Sequence, residues 1–133
     1  MLAIIESPFS GKTPEEVERT RRYLGVCIHY VLMDRGADVA WASHAIGPLG
    51  LHDTVPSERH KGMMMTRHLL DHLNMNKQVM CFMFTDLGVS DGMLAGCSML
   101  RGSVPVEEVN FGKLGVDWED LARDLVHHTE GAH

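Results

Sequence analysis

What this sequence lacks narrows it quickly. No apolar run approaches the roughly 18–20 residues that a membrane-spanning helix needs, so no membrane partner is expected. The start, MLAIIESPFS, has no basic region ahead of its apolar residues and soon turns polar, so no secretory signal is expected. Cysteine is scarce, at three residues. Cys27, Cys81 and Cys97 form no CxxC pair, and in their apolar surroundings they read as reduced packing residues of a cytoplasmic protein. Basic charge is also short, with 12 Lys and Arg against 18 Asp and Glu and a formal net charge of -6. Sequence-independent binding to DNA or RNA needs basic surface to displace counterions, so no nucleic-acid partner is expected. A small phosphorylated ligand needs only a few local donors and stays open.

Several motifs are missing as well. There is no GxxxxGK[ST] phosphate loop and no GxGxxG dinucleotide fingerprint. A GxSxG nucleophile elbow is absent, which leaves Ser-His-Asp chemistry without support. His68 and His72 stand four apart on a helical pattern, yet no HExxH pattern or third ligand accompanies them. No cofactor and no metal are expected.

What is present fits one soluble globular domain over residues 1–133: the chain is 44% hydrophobic and 23% charged. LAII is a short apolar run ending in ESPFSG, a buried strand entering a turn. TPEE starts a helix, with Thr13 as cap, Pro14 at the first helical position and Glu16 closing a capping box. Val17, Leu24, Cys27, Ile28, Val31 and Leu32 follow at helical spacing, and Gly36 ends the helix. DVAWASH is a second strand. The glycine- and proline-rich AIGPLGLHDTVPSE leads to a helix from about Pro56 to Leu73, with Met63, Leu69, Leu70 and Leu73 inward. QVMCFMFTD is a continuous apolar run, the mark of a strand buried on both faces. A helix from about Ser90 to Leu100, a strand near Val104 to Phe111 and a helix capped by Asp117 complete the chain. The polar tail HHTEGAH is expected to fray.

Strands alternating with helices imply a parallel sheet covered on both faces. The expected fold is a three-layer α/β/α sandwich with a flavodoxin- or Rossmann-like parallel sheet of four to five strands. In such sheets ligands bind beyond the carboxyl ends of the strands, where the strand order reverses. A 2-1-3-4 order sets the loop after strand one beside the loop after strand three.

Those two loops carry the candidate site. SPFSGK offers Ser7, Pro8, Ser10, Gly11 and free amides ahead of a helix, a possible anion cradle. In DLGVSDGM, Asp86 ends a strand, Gly88 turns the chain, and Ser90 caps a helix beside Asp91. A carboxylate at a helix start is stabilised in its ionised form by the dipole and free amides. It can serve as a nucleophile toward a sugar carbon that becomes oxocarbenium-like, while the second acid holds a hydroxyl or manages a proton. The plainer alternative is that Asp91 only caps and Asp86 only orders the turn. His44, at the end of strand two, lies on the same rim. Arg59 sits near a helix start, where a cation is disfavoured by the dipole, which argues for pairing with an acid or a phosphate.

With these residues set out, the chain resembles the nucleoside 2-deoxyribosyltransferase-like superfamily, in particular its small phage-encoded and bacterial members. The likeness covers about Ile4 to Leu114. It rests on IIESPFSG after strand one, ASH and VPSERHKGM in the middle, and TDLGVSDGM after strand three, with VPVEEVNFGKLG compatible with a closing strand. The resemblance implies a flavodoxin-like fold and cleavage of the N-glycosidic bond of a nucleoside or nucleoside 5′-monophosphate. The sugar passes to another base or to water through a glycosyl-enzyme on a carboxylate. It implies Asp91 as nucleophile, where the family ordinarily has glutamate in a G-x-E-L-G segment, and Asp86 as an acid contacting the sugar. ESPFSG takes the place of the family's Y-x-A-G-P loop, with Glu6 and Ser7 replacing small residues. The resemblance also implies a homo-oligomer in which a neighbour completes the pocket. The alternative is a non-catalytic binder of a nucleotide or an ADP-ribose-like ligand in the same crevice.

Overall fold

The structure is a computed structural model and describes residues 1–8, 12–42, 55–73, 78–100 and 104–131. Four strands form one sheet: β1 (Leu2–Glu6), β2 (Val39–Trp41), β3 (Val79–Phe84) and β4 (Val106–Val109). The order is β2-β1-β3-β4 and every pairing is parallel. β1 is buried along its whole length. An apolar run without polar alternation has no face to turn to water, so it takes the centre of the sheet.

Alternate residues of the central strands feed two cores. Ala3, Ile5, Phe82 and Phe84 pack with Tyr23, Val26 and Cys27 of α1 (Pro14–His29) and with Trp118 and Ala122 of α4 (Trp118–Gly131). Leu2, Ile4, Val79 and Cys81 face the other way, toward Leu69 of α2 (Pro56–Leu73) and Cys97 and Leu100 of α3 (Asp91–Leu100). The molecule is therefore an α/β/α sandwich, as its alternating pattern implies. No described helix is long and apolar enough to cross a membrane.

Local chemistry sets the ends of these elements. The Thr13 hydroxyl accepts the Glu16 N–H at 3.2 Å, while Glu16 reaches back to the Lys12 N–H at 2.6 Å. The box is thus closed one residue earlier than Thr13 itself. Thr13→Ala is expected to cost about 1 kcal/mol of unfolding free energy, read as a lower urea midpoint with unchanged slope.

The helix expected to run to Gly36 changes form before it stops. α-Helical bonding ends at His29 and a π-helical turn spans Tyr30–Asp34, with the Arg35 N–H donating to the Tyr30 carbonyl at 3.1 Å. Gly36, at φ 72°, then turns the chain into β2. The widened turn packs Tyr30 edge-on against Phe84 and Phe111 and lays Arg35 over the Phe82 ring. Asp117 caps α4 by accepting the Glu119 N–H at 2.9 Å. That helix continues to Gly131, past the point where the tail was expected to fray, and the last strand is shorter than its apolar pattern suggested.

Candidate functional site

The register pairs Glu6 with Met83, so β1 and β3 end level with each other. The chain leaves β1 toward β2 on one side and returns to β3 on the other, which makes the β1–β3 boundary the point where strand order reverses. Glu6, Ser7 and Pro8 stand at the end of β1, and Thr85 to Asp91 at the end of β3. The two segments share one rim.

After β3 the chain makes a tight turn in which the Gly88 N–H donates to the Thr85 carbonyl at 3.0 Å. Gly88 has φ 92°, a conformation that a side chain resists. Ser90 then caps α3, its hydroxyl accepting the Met93 N–H at 3.2 Å. Asp91 is the first helical residue and is exposed. Its carboxylate stands at the positive end of the helix dipole, with no hydrogen-bond partner among the described residues.

Asp86 is engaged differently. One carboxylate oxygen accepts the Tyr23 hydroxyl at 2.7 Å and the Phe111 N–H at 3.0 Å, and the other accepts the Gly112 N–H at 3.0 Å. The Asp86 N–H in turn donates to the Tyr23 hydroxyl oxygen at 3.0 Å. Tyr23 is fully buried, with edge contacts to Phe84, Phe111 and Trp118. Burial, with the negative charge beside it, pushes the Tyr23 phenol up, so it stays a donor. Asp86 thus ties the end of β3 to α1 and to the turn after β4. It fixes the loop that leads to Asp91.

Glu6 is the least expected feature of the rim. Its side chain follows Leu2 and Ile4 into the layer beneath α3 and is only 6% exposed. The carboxyl lies against Gly96, where a Cβ would stand 2.8 Å from Glu6 Cδ and closer still to Oε1. Its surroundings are soft and weakly polar: the Cys81 and Cys97 thiols border it, and Cys97 Sγ meets Met83 Sδ at 3.9 Å. No donor among the described residues satisfies the carboxyl. Burial disfavours the charged form, and the Glu6 acid is pushed up from 4.5 to about 8. Both thiols are pushed up by burial and, further, by the acid next to them.

The remaining residues expected at the site divide in two. Ser7 is buried and Pro8 half-buried at the mouth of the crevice. Ser10, Gly11, His44 and the Arg59 side chain lie outside the described residues, although the backbone of residue 59 belongs to the first turn of α2. Away from this rim, a cleft of about 420 Å³ runs along the exposed edge of β4, lined by Tyr30, Arg35, Glu107, Asn110, Lys113 and Leu114. Arg35 donates to both Glu107 oxygens, which holds that carboxyl below its usual range. The charge in the cleft is therefore largely spent internally.

A family model described as a domain of unknown function, DUF7768, matches residues 1–105. The chain belongs to the DUF7768 family. The matched span includes the end of β1, the turn after β3, and α3 with its Gly96. The closing turn that donates to Asp86 and all of α4 lie beyond it, so the DUF7768 match covers the crevice but not its whole support. No curated protein and no solved structure matches the chain.

Proposed function

We propose that the crevice between the ends of β1 and β3 binds a nucleoside or nucleoside 5′-monophosphate and that the protein cleaves its N-glycosidic bond. The observation that carries this reading is the rim itself. An exposed helix-tip carboxylate, Asp91, and the Glu6–Pro8 segment flank the strand-order switch where sheets of this kind hold their ligands. Asp91 attacks the anomeric carbon, the bond to the base breaks, and the sugar is held as an ester on the aspartate. Water or an acceptor base then attacks the same carbon and frees the carboxylate. Ser7, Pro8, Gly88 and Ser90, with Ser10, Gly11, His44 and Arg59, form the binding surface in this reading. Asp86 contributes by fixing the turn. A second copy of the chain completing the pocket belongs to the same proposal.

The test is release of free base from a panel of nucleosides and their 5′-monophosphates, with and without an acceptor base. The wild-type protein is expected to release base, and Asp91→Asn to lower the rate by at least about 10³-fold while ligand binding persists. Equal rates in the two proteins would remove Asp91 from the mechanism.

One observation favours a second reading. Three internal donors already engage the Asp86 carboxylate, which gives that side chain a structural duty of its own, so a non-catalytic nucleotide binder also fits the crevice. It predicts saturable calorimetric binding that survives Asp91→Asn, with no base released by the wild type.

A further inference from the structure

We propose that Glu6 is a second catalytic residue: its carboxyl, lodged against Gly96 beneath α3, donates the proton taken up by the departing base. This rests on the glycosidic reading above. The chemistry demands such a group. When the bond from the anomeric carbon to the base nitrogen breaks, its electron pair leaves with the base, and a base departs readily only when that charge is met by a proton. The donor must be uncharged at working pH, whereas the nucleophile must be ionised. One site needs two carboxyl groups in opposite states. Asp91 is exposed at a helix tip; Glu6 is enclosed in sulfur and carbon.

The way Glu6 is housed supports a function beyond folding. A glycine inside a helix costs about 1 kcal/mol relative to alanine, and here the missing Cβ is what leaves room for the carboxyl. A buried acid that no described residue satisfies with a hydrogen bond costs more still. Neither feature strengthens the sandwich, and both occur at the end of the central strand where the sheet offers its ligand site. Among the described residues the groups that face the acid are Cys81 from β3 and Cys97 from α3, both kept as neutral thiols, so no charge among them draws the proton away. The steps balance. The anomeric carbon–nitrogen bond breaks as the Asp91 oxygen–carbon bond forms, and the Glu6 proton passes to the base. Water then opens the ester, giving its proton to the Glu6 carboxylate and its hydroxyl to the sugar.

The experiment compares wild type, Glu6→Gln and Asp91→Asn on nucleoside 5′-monophosphates and on a nitrophenyl 2-deoxyribofuranoside, whose leaving group needs no proton. On the natural bond, kcat of the wild type is expected to fall on the alkaline side of about pH 8. Glu6→Gln is expected to lose that limb and about 10²–10³-fold in kcat, with KM within a few-fold. On the nitrophenyl substrate Glu6→Gln is expected to stay within a few-fold of wild type while Asp91→Asn fails. A Glu6→Gln variant that keeps its rate and its alkaline limb, or loses equally on both substrates, overturns the assignment of Glu6 alone. A wild type that acts on neither substrate overturns it together with the glycosidic reading. Folding of the variant does not limit the test. In the wild type, the carboxyl carbon of Glu6 followed by NMR is expected to titrate near pH 8, and titration near its ordinary value of 4.5 overturns the proposal.

Discussion

Glu6→Gln is expected to stabilise the protein, and by an amount that grows with pH. In the unfolded chain Glu6 titrates near 4.5, and in the folded protein near 8. Between those values the folded state holds a proton that the unfolded state has released, so folding becomes less favourable as pH rises through the window. The contribution of the neutral acid is fully present below about pH 4.5 and is lost as pH passes about 8. A shift of this size corresponds to an order of 4–5 kcal/mol. Glutamine keeps the shape and carries no charge, so unfolding free energies of the two proteins should agree at low pH and separate steadily toward alkaline pH. Parallel curves across that range would show that Glu6 is not the buried acid described here.

The companion substitution locates the strain. Gly96→Ala alone should destabilise, because its Cβ would overlap the buried Glu6 carboxyl and force it to move. In a Glu6→Ala background the same change should become neutral or stabilising by up to about 1 kcal/mol, the helix preference of alanine over glycine. The sign reversal is the measurement that matters, since the two residues are coupled only through contact.

The second large effect concerns Asp86. Asp86→Ala strands the buried Tyr23 hydroxyl and the Phe111 N–H and removes the partner of the Gly112 N–H. Unpaired buried donors cost about 1–3 kcal/mol each. The expected loss is about 3–5 kcal/mol in urea unfolding. Tyr23→Phe should lose less, since it removes one hydroxyl and leaves the two amide bonds in place. An Asp86→Ala protein as stable as wild type would mean that these bonds do not hold the turn.

Much of the fold was legible because its signals are local. The buried run of β1, the Thr13–Pro14 start of α1, the Ser90 cap and the continuous apolar β3 each follow from a few adjacent residues. Alternation and right-handed crossovers leave few strand orders open, and the 2-1-3-4 order considered among them is the one the sheet has. The π-helical turn at Tyr30 was not legible, because it is set by rings from β3 and the turn after β4 rather than by its own sequence.

The site divides along the same line. Asp86 and Asp91 stood out as acids in a glycine turn, but their roles depend on partners distant in sequence. Tyr23 is separated from Asp86 by 63 positions, and nothing in TRRYLG or its surroundings marks it as the donor. Written as residues, that stretch is Thr20 to Gly25, a helix face like any other. Glu6 read as a loop residue that replaces a small one, because its burial is decided by a glycine in another element. A glycine within MLAGCSML was the available signal: such a residue in a helix asks what fills the space beside it.

A structure of the protein with a nucleoside 5′-monophosphate bound tests the central claim most directly. The account predicts the sugar at the β1–β3 rim, its anomeric carbon roughly 3–3.5 Å from an Asp91 oxygen and its base on the Glu6 side. A ligand seated instead in the β4-edge cleft beside Arg35 and Lys113, with the rim empty, would contradict it.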